Sequence, residues 1–408
     1  MRLIISFAAL FLSVLLLQLG SGGLAPLDAI SGVELGFSTS QIGLLGSSHF
    51  LGFFIGCWWA PRLMGSVGHS RAFAAFTATG TIGILSHMLV IQAEAWMAMR
   101  VLTGLCIAGS YTIVESWLQA KVTNATRGRT MGIYRVVDIS GALCAQLMIS
   151  VLTPAHYVSY NILALLCCAA LVPLVLTRVQ QPKTPEAPRL RPALAWRRSP
   201  LAAAGVLSAG LTSAAFRMVG PIYGVEIGLS VDDIAFFLAA FVLGGVLAQW
   251  PAGWAADRYD RRWVLIALSA LAVLSCGITI AFAGQGATAA FLTATLFGIA
   301  TFPIYSVSAA HAHDFAADEE RVELSAALMF LFALGAIASP WVVSRLIETF
   351  GPSAMFVFVS AAHVALILFG LIRMRSRTSK TRTKSVYAPR TSFLIGRLLK
   401  KSREEKID

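Results

Sequence analysis

Long apolar runs recur along nearly the whole chain, and they restrict its possible folds more than any other feature. Of its 408 residues, 57% are hydrophobic and 13% are charged, and the mean hydropathy is +0.74. A run of about 20 apolar residues is long enough to cross a membrane as a helix. We therefore expect an all-α polytopic membrane protein.

The runs predict twelve transmembrane helices. Their expected ranges are 3–28, 40–62, 70–91, 94–119, 129–153, 156–178, 201–224, 231–255, 262–283, 287–311, 323–347 and 351–373. We expect the first run to be a retained span and not a cleaved signal peptide, because an internal repeat pairs its end with the end of the seventh run.

Lysine and arginine are distributed unevenly between the turns. Twenty-eight of the 32 lie near the N-terminus, in alternate turns, between residues 178 and 198, or after residue 372. Cytoplasmic loops are the ones enriched in these residues. We therefore expect both termini in the cytoplasm and the protein in the inner or plasma membrane. The net charge of +12 then reflects topology and does not indicate a nucleic-acid partner.

The two parts of the chain are related by an internal repeat. With an offset of 192 positions, ten of the forty residues from 32 to 71 are identical to their counterparts, without a gap. The segment Gly32–Ser38 aligns with Gly224–Ser230, and Trp58 aligns with Trp250. Parallel repeats of this length occur in membrane transporters.

A short charged segment, Gly253–Arg262, separates the eighth apolar run from the ninth. It reads Gly-Trp-Ala-Ala-Asp-Arg-Tyr-Asp-Arg-Arg. This resembles the signature Gly-x-x-x-Asp-Arg-x-Gly-Arg-Arg of the major facilitator superfamily (MFS), except that Asp260 replaces the second glycine. The resemblance implies an MFS fold of twelve helices, in which two six-helix halves related by pseudo-symmetry rock around a central site. In the first half the signature has decayed, with Gly65 and Ser66 at the positions of the Asp-Arg pair.

Four further segments resemble the YcaD-like subgroup of that superfamily. They are Val114–Ser116, Arg127–Arg129, Gln249–Pro251 followed by Gly253 and the Asp257-Arg258 pair, and Phe302–Tyr305. The subgroup implies no particular substrate.

The repeat and the resemblance together predict four parts of the chain. These are an N-terminal six-helix half at 1–178, a cytoplasmic linker at 179–200, a C-terminal six-helix half at 201–373, and a basic cytoplasmic tail at 374–408. The tail is either an interfacial helix on the anionic inner leaflet or a disordered basic segment, and the sequence leaves both possibilities open.

Polar residues inside the spans are the candidates for binding solute or coupling ion. Each such charge costs roughly 2.5–3.5 kcal/mol at the bilayer centre, so it needs a protein partner or a water-filled cavity. The candidates are Asp28, Arg100, Tyr111, Arg135, Asp138 and Arg217.

Two pairs among these candidates have specific expected arrangements. Arg135 and Asp138 are three residues apart and share a helix face, so they can form an ion pair, either structural or opening to admit a solute or proton. Asp28 and Arg217 have repeat-related positions in spans one and seven, and we expect them to form an outer gate. Arg100 either lines the cavity or fixes a helix in place.

A second set of residues is expected to form a cytoplasmic gate network. In MFS proteins the signature aspartate contacts the start of a span in the other half, which here is span five. This contact belongs to the state in which the cytoplasmic side is closed, and the signature glycine would permit close packing there. The residues of this network are Gly253, Asp257, Arg258, Arg261, Arg262, Glu115, Arg127 and Arg129.

The combined interpretation is a secondary active transporter, not an enzyme, that moves a small solute by alternating access. Three arginines inside the spans favour an anionic or zwitterionic solute, and the embedded carboxylates favour coupling to protons. We expect a monomer in the lipid bilayer, with no cofactor and no metal.

Three alternatives remain open. The chain could be a drug or metabolite efflux antiporter, although the antiporter signature expected in span five is absent from 138–143. It could be a transporter-like receptor that does not transport. A membrane acyltransferase would use the His-x₄-Asp pattern of His313 and Asp318, for which we expect instead a cytoplasmic ion network.

Overall fold

The computed structural model describes residues 2–121, 127–176, 191–317 and 320–376. Within these residues the regular secondary structure comprises sixteen α-helices and one 3-10 helix. The side chains of Arg127 and Arg129 lie outside the described part, as do the predicted tail beyond residue 376, most of the predicted linker, and Asp318.

Eight α-helices belong to the predicted first half. They are α1 (Arg2–Gly22), α2 (Leu24–Glu34), α3 (Thr39–Val67), α4 (His69–Ser86), α5 (Ala93–Lys121), α6 (Arg127–Met148), α7 (Tyr157–Ala169) and α8 (Leu171–Val175). The 3-10 helix Ile149–Val151 follows α6 directly.

Eight further helices follow. They are α9 (Pro192–Arg198), α10 (Pro200–Glu226), α11 (Val231–Arg258), α12 (Arg261–Ala281), α13 (Ala287–Thr301), α14 (Pro303–His313), α15 (Arg321–Phe350) and α16 (Ala354–Ser376). The short helix α9 lies at the end of the predicted linker, where Arg191 forms an ion pair of 3.1 Å with Glu323 of α15.

Eleven helical segments among the described residues are long and apolar enough to cross a membrane. They correspond to eleven of the twelve predicted spans. The remaining prediction, 70–91, falls on α4, which has 18 residues and begins with the polar triplet His69-Ser70-Arg71. The all-helical membrane fold is thus confirmed, whereas the count of twelve is met only if the more polar α4 is included.

Three of the spans among the described residues are interrupted. Ala170 separates α7 from α8. Gly23 separates α1 from α2, and the second of these helices carries Asp28. Phe302 separates α13 from α14, which begins at Pro303. A proline has no N–H to donate to the preceding helical turn, so Pro303 at the start of α14 leaves one backbone hydrogen bond of this span unmade.

The internal repeat has counterparts in the structure. Ser38 caps α3 by accepting a hydrogen bond from the backbone N–H of Gln41, and Ser230 caps α11 in the same way through Asp233. The turn before each cap contains a glycine with positive φ.

The repeat also preserves two close helix crossings. A Cβ at Gly104 of α5 would collide with the backbone carbonyl of His49 in α3, and a Cβ at Gly298 of α13 would collide with that of Phe241 in α11. The absence of a side chain at these glycines lets the two helices of each pair approach closely.

The two ends of the helical bundle differ. We call the end that contains Gly68, the end of α5, the turn at 259–260 and the end of α14 the basic end, and the end formed by the turns at 35–38, 227–230 and 351–353 the opposite end. Toward the opposite end, α3 packs directly against α15 of the other half. The backbone N–H of Ser40 donates to Glu348 (2.7 Å), and Phe54 and Phe330 have ring centroids 5.4 Å apart. The largest buried hydrophobic cluster combines side chains of both halves, among them Leu27 and Phe216. The halves are thus joined by packing and hydrogen bonds at the opposite end.

Candidate functional site

A cavity of about 130 Å³ lies between the two halves, and both contribute to its wall. From the first half come residues of α1, α2, α3, α5 and α6, and from the second half residues of α10 and α11. Its polar lining side chains are Gln18, Ser21, His49, Arg100, Gln146 and Arg217. The rest of the lining is mainly apolar, with four phenylalanines.

Arg100 connects the cavity to a buried carboxylate. Its Nε lies 3.6 Å from Oδ2 of Asp28, and both side chains are only 2% exposed. Its Nη2 lies 3.6 Å from the sulfur of Met218, which belongs to the other half. Nε and Nη1 have no hydrogen-bond partner within the described part of the chain. A buried guanidinium with unused donors is well suited to hold an anion in the cavity.

His87 is a second neighbour of the Asp28 carboxylate. The Nε2 atom of His87 lies 3.3 Å from Oδ2 of Asp28, and the histidine is fully buried. Its other ring nitrogen, Nδ1, lies 2.7 Å from the carbonyl oxygen of Gly83. The ring stacks on Tyr160 at 5.4 Å and meets Trp96 edge-on at 4.9 Å. His87 is therefore held in one orientation, with Nε2 directed at the carboxylate.

The expected pairing of Asp28 with Arg217 is not present in this structure. Asp28 lies against His87 and Arg100 of its own half instead. The position of Asp28 in α2, beyond the break at Gly23, directs it toward α4 and α5. Equivalent positions in the repeat therefore do not place these two side chains in contact.

Arg217 lies in the cavity wall, and its side chain is exposed. By contrast, 72% of the residues in the most apolar stretch of α10 are buried. Within the described residues it forms no hydrogen bond and no ion pair, and its strongest attractive charge is that of Asp138. An exposed side chain in the middle of a buried helix means that solvent reaches the space between the halves. Arg217 is thus an accessible cation in the cavity.

A second polar group lies on α5 and α6. The hydroxyl of Tyr111 donates to Oδ1 of Asp138 (2.7 Å), and Nη1 of Arg135 lies 3.5 Å from Oδ2 of the same carboxylate. The Arg135 side chain is 69% exposed, whereas that of Asp138 is 15% exposed. Nearby, the hydroxyl of Tyr134 donates to Glu115 (3.0 Å). The sequence-predicted candidates therefore form two separate groups, one around Arg100 and one around Asp138.

The charged segment at the basic end is organised within the second half. Asp257 is 80% exposed and lies 3.3 Å from Arg261, one turn further along the chain. Arg261 also donates to the carbonyl oxygen of Ala310 (2.9 Å) and to Asp314 at the end of α14. Arg258 lies over the ring of Trp254 at 5.6 Å. These contacts attach the turn before α12 to α14.

Asp260, which replaces the signature glycine, caps α12. Its carboxylate accepts from the backbone N–H of Arg262 (3.0 Å) and forms an ion pair with the same residue's guanidinium (2.7 Å). Burial raises the pKa of this carboxyl group, but the side-chain and backbone hydrogen bonds from Arg262 outweigh burial and leave the pKa below its ordinary value. The departure from the signature therefore has a local structural use.

The structure bears on three expectations about the gate network, at Gly253, Asp257 and Glu115. In this conformation nothing lies within 4 Å of a Cβ placed at Gly253; close packing there was expected for the state closed at the cytoplasmic side and stays a prediction. The expected contact of Asp257 with Arg127 and Arg129 involves side chains outside the described part, and it stays a prediction. Glu115, placed in the same network, is bonded to Tyr134 instead.

Sequence reasoning missed several polar residues of the site. His87 was interpreted as a packing residue, although a buried aspartate in span one requires a partner. Gln18 and Gln146 are neutral, so charge alone does not identify them; their signal is a long polar side chain in the middle of an apolar run. His313, the proposed acyltransferase residue, has Nε2 3.2 Å from the hydroxyl of Ser325.

The chain was compared with known proteins. The Major Facilitator Superfamily family model matches residues 10–230 and 201–403. The uncharacterized MFS-type transporter YcaD of Escherichia coli O7:K1 (strain IAI39) is 27% identical over 345 residues, which cover 84% of this chain and 89% of that protein. YcaD homologues thus confirm the subgroup resemblance.

Solved structures of similar fold have lower sequence identity. The nucleoside transporter NupG aligns with a TM-score of 0.74 at 16% identity, covering 91% of this chain and 99% of that one. A D-xylose-proton symporter aligns with a TM-score of 0.72 at 15% identity, covering 90% and 97%. With the family model matching both halves, these findings show that the chain belongs to the Major Facilitator Superfamily and is a multi-pass membrane transporter, not an enzyme.

Proposed function

We propose that this transporter moves a small anionic or zwitterionic solute together with protons, by alternating access between its two halves. The site lies in the cavity lined by Arg100 and Arg217, and the proton is held by Asp28 and His87. The protein lies in the inner or plasma membrane. Its basic end faces the cytoplasm, since cytoplasmic loops are enriched in lysine and arginine.

The supporting observation is the geometry of His87 between Gly83 and Asp28. A carbonyl oxygen can only accept, so Nδ1 of His87, at 2.7 Å from the Gly83 oxygen, carries a proton. In a neutral ring Nε2 is then an acceptor, yet it lies 3.3 Å from a carboxylate oxygen of Asp28. Two acceptors repel each other at that distance. A further proton, on either Nε2 or Asp28, turns the repulsion into a hydrogen bond, so the geometry has room for one proton shared between the two side chains.

Arg100 connects this proton to the solute. It faces Asp28 from α5, while His87, the residue that follows α4, faces the same carboxylate and the Tyr160 hydroxyl lies near it from α7. When the pair holds its extra proton, Asp28 attracts Arg100 less strongly, and the guanidinium becomes available to an anion in the cavity. When the proton leaves, Asp28 competes with the anion for Arg100. Anion and proton therefore bind together and leave together, which is symport. The fold similarity to a D-xylose-proton symporter supports proton coupling.

Proteoliposomes containing a pH-sensitive dye test this proposal. A panel of organic acids and amino acids is added outside, and internal acidification is recorded together with uptake. We expect acidification with at least one anionic member. Asp28→Asn and His87→Gln should abolish the acidification, whereas exchange of labelled solute across the membrane should persist.

The matched control is His363→Gln, which changes a buried histidine of the second half that is bonded to Thr212 (3.0 Å) and lies outside the cavity lining. Uptake without proton movement, or unchanged acidification in Asp28→Asn, would contradict the coupling. Binding of solutes without any flux would indicate the receptor alternative.

A further inference from the structure

The charged side chains around the cavity differ in whether they are free to bind a solute. Arg217 forms no ion pair with a described residue, and Arg100 has donors without hydrogen-bond partners. The nearest carboxylates have cationic or hydrogen-bonding neighbours of their own: Asp28 lies 3.3 Å from His87 and 3.6 Å from Arg100, although neither of its oxygens has a hydrogen-bond partner within the described residues. Asp138 accepts from Tyr111 and pairs with Arg135. Neither carboxylate lines the cavity. An incoming solute thus meets cations without a free anion beside them.

This arrangement discriminates between classes of solute. An amino acid would need a carboxylate or several acceptors for its ammonium group, and no acidic side chain lines the wall. Before the proton binds, Arg100 and Asp28, 3.6 Å apart, balance each other's charge and leave one net positive charge at the cavity, that of Arg217. A solute that enters with one proton then needs one negative charge, since the charge of that proton stays with Asp28 and His87. The charge balance therefore fits a single negative charge.

The neutral polar groups of the wall offer few hydrogen bonds. The Ser21 hydroxyl donates to the carbonyl of Leu17 (2.7 Å), and Nε2 of Gln146 donates to the carbonyl of Gly22 (3.3 Å). Gln18 and His49, whose Nδ1 has no hydrogen-bond partner within the described residues, are the remaining neutral polar side chains of the lining. A sugar would bury hydroxyl groups against a mainly apolar wall, and each unpaired buried polar group costs about 1–3 kcal/mol. The site therefore disfavours sugars, even though the fold resembles that of a xylose transporter.

The volume and the apolar lining of the cavity determine the size and polarity of the rest of the solute. Phe50, Phe216, Leu238 and Phe241 contribute to its lining. Its volume of about 130 Å³ is close to that of protein cavities that hold one benzene molecule, roughly 150 Å³. The body of the solute is thus apolar and about the size of one six-membered ring.

We propose that the cavity binds a small organic monocarboxylate, with the carboxylate at Arg217 and Arg100 and the apolar body against the phenylalanines. This inference rests on the proposed transport function and narrows its solute class from anionic or zwitterionic to monoanionic and amphipathic.

Equilibrium binding to the purified full-length protein in detergent, measured by calorimetry at pH 7.5, tests it. The probes are benzoate, its neutral analogue benzamide, the dianion phthalate, and xylose. We expect benzoate to bind at least about tenfold more tightly than the other three. Arg217→Gln should weaken benzoate binding by about 10- to 150-fold, the range for losing a hydrogen bond to a charged group, and Arg217→Lys should restore part of the loss.

The control variant is Arg62→Gln. Arg62 lies over Trp58 at 4.1 Å and outside the cavity lining, so its removal tests a change in overall charge alone. Circular dichroism and size-exclusion profiles check that each variant is folded.

Equal binding of benzamide and benzoate, tighter binding of phthalate or xylose, no benzoate binding, or equal effects of Arg217→Gln and Arg62→Gln would each overturn the inference. Proton-coupled flux of another solute without benzoate binding would overturn only this inference. Benzoate binding without proton-coupled flux would overturn the transport mechanism and leave the site intact.

Discussion

The carboxylate of Glu348, near the end of α15, caps the first turn of α3 at Ser40. The backbone N–H of Ser40 donates to Oε1 (2.7 Å), its hydroxyl donates to Oε2, and Arg345 lies 3.1 Å from the same carboxylate. The N-terminus of a helix carries partial positive charge, which favours an anion there. This contact joins the two halves at the opposite end, where the sequence had suggested Asp28 and Arg217 instead.

Glu348→Ala should shift the protein toward a state open at the opposite end. Hydrogen bonds to a charged group contribute about 1.5–3 kcal/mol, so we expect a population shift of about 10-fold or more. Double electron-electron resonance between spin labels at Val33 and Phe350, both exposed, should show a larger fraction of long distances. Thr349→Val is the control, because that hydroxyl bonds only within its own helix, to Arg345 (3.0 Å). Unchanged distances in Glu348→Ala would show that packing alone holds this end closed.

Asp257→Asn should shift the protein toward a state open at the basic end, because the expected contact of Asp257 with the start of α6 stabilises closure of that end. The fraction of long distances between labels at Val67 and Phe315 should rise. Gly65→Ala, at the decayed copy of the signature, should change these distances little, since no charge is present there. If Asp257→Asn leaves the distances as they are in the unmodified protein, the signature aspartate has no gating role here.

Gly104→Ala should destabilise the protein, whereas Gly253→Ala should not. A methyl group at Gly104 would collide with the backbone of α3, and such overpacking costs about 1–3 kcal/mol. A methyl group at Gly253 meets open space, and alanine is the better helix former by about 1 kcal/mol. Thermal unfolding in detergent measures both. Equal midpoints for the two variants would argue against the close crossing of α3 and α5.

Asp260→Asn should remove a pH-dependent part of the stability. The folded pKa of Asp260 lies below its ordinary value, so the ionised form is the one that stabilises the fold. This contribution is complete above the unfolded value of about 3.9 and is lost as the pH falls through the lower folded pKa. Between pH 5 and pH 3 the unfolding midpoint of the unmodified protein should fall more than that of Asp260→Asn. Asp257→Asn, whose side chain is 80% exposed, is the control; parallel curves for all three proteins would contradict the prediction.

The sequence was sufficient for the fold because length and hydropathy determine where helices cross a membrane. The glycines at which α3 crosses α5 and α11 crosses α13, Gly104 and Gly298, lie at corresponding positions of the repeat, but only the structure shows that they are crossings. The weakest prediction concerned α4, where Arg71 and a polar first turn reduce the apolar signal. The stability of such a helix depends on packing against neighbouring helices. The periodicity of one segment does not reveal which helices those are.

The site was predicted in part. Arg100 and Arg217 were identified because a charge inside an apolar run is easily seen, and both line the cavity. Their partners were not identified, because a repeat aligns backbone positions and does not determine side-chain direction. The break at Gly23 directs Asp28 toward His87, and Glu348 contacts Ser40 from 308 positions along the chain. Contacts of that kind depend on the packing of whole helices.

The two copies of the repeat have become chemically unlike. Arg100 and Glu115 of α5 correspond to Ala294 and Ala309 in the second half, and the phenylalanine pair of Phe216 and Phe241, with centroids 4.1 Å apart, lies in that second half. Duplication has thus produced one half that handles charge and another whose contribution, apart from Arg217, is mainly shape. Under the proposed mechanism, substitutions in α10 and α11 would change which solute fits without altering the residues proposed to hold the proton. Selectivity and energy supply would then be separable traits, open to independent change by evolution or by an engineer.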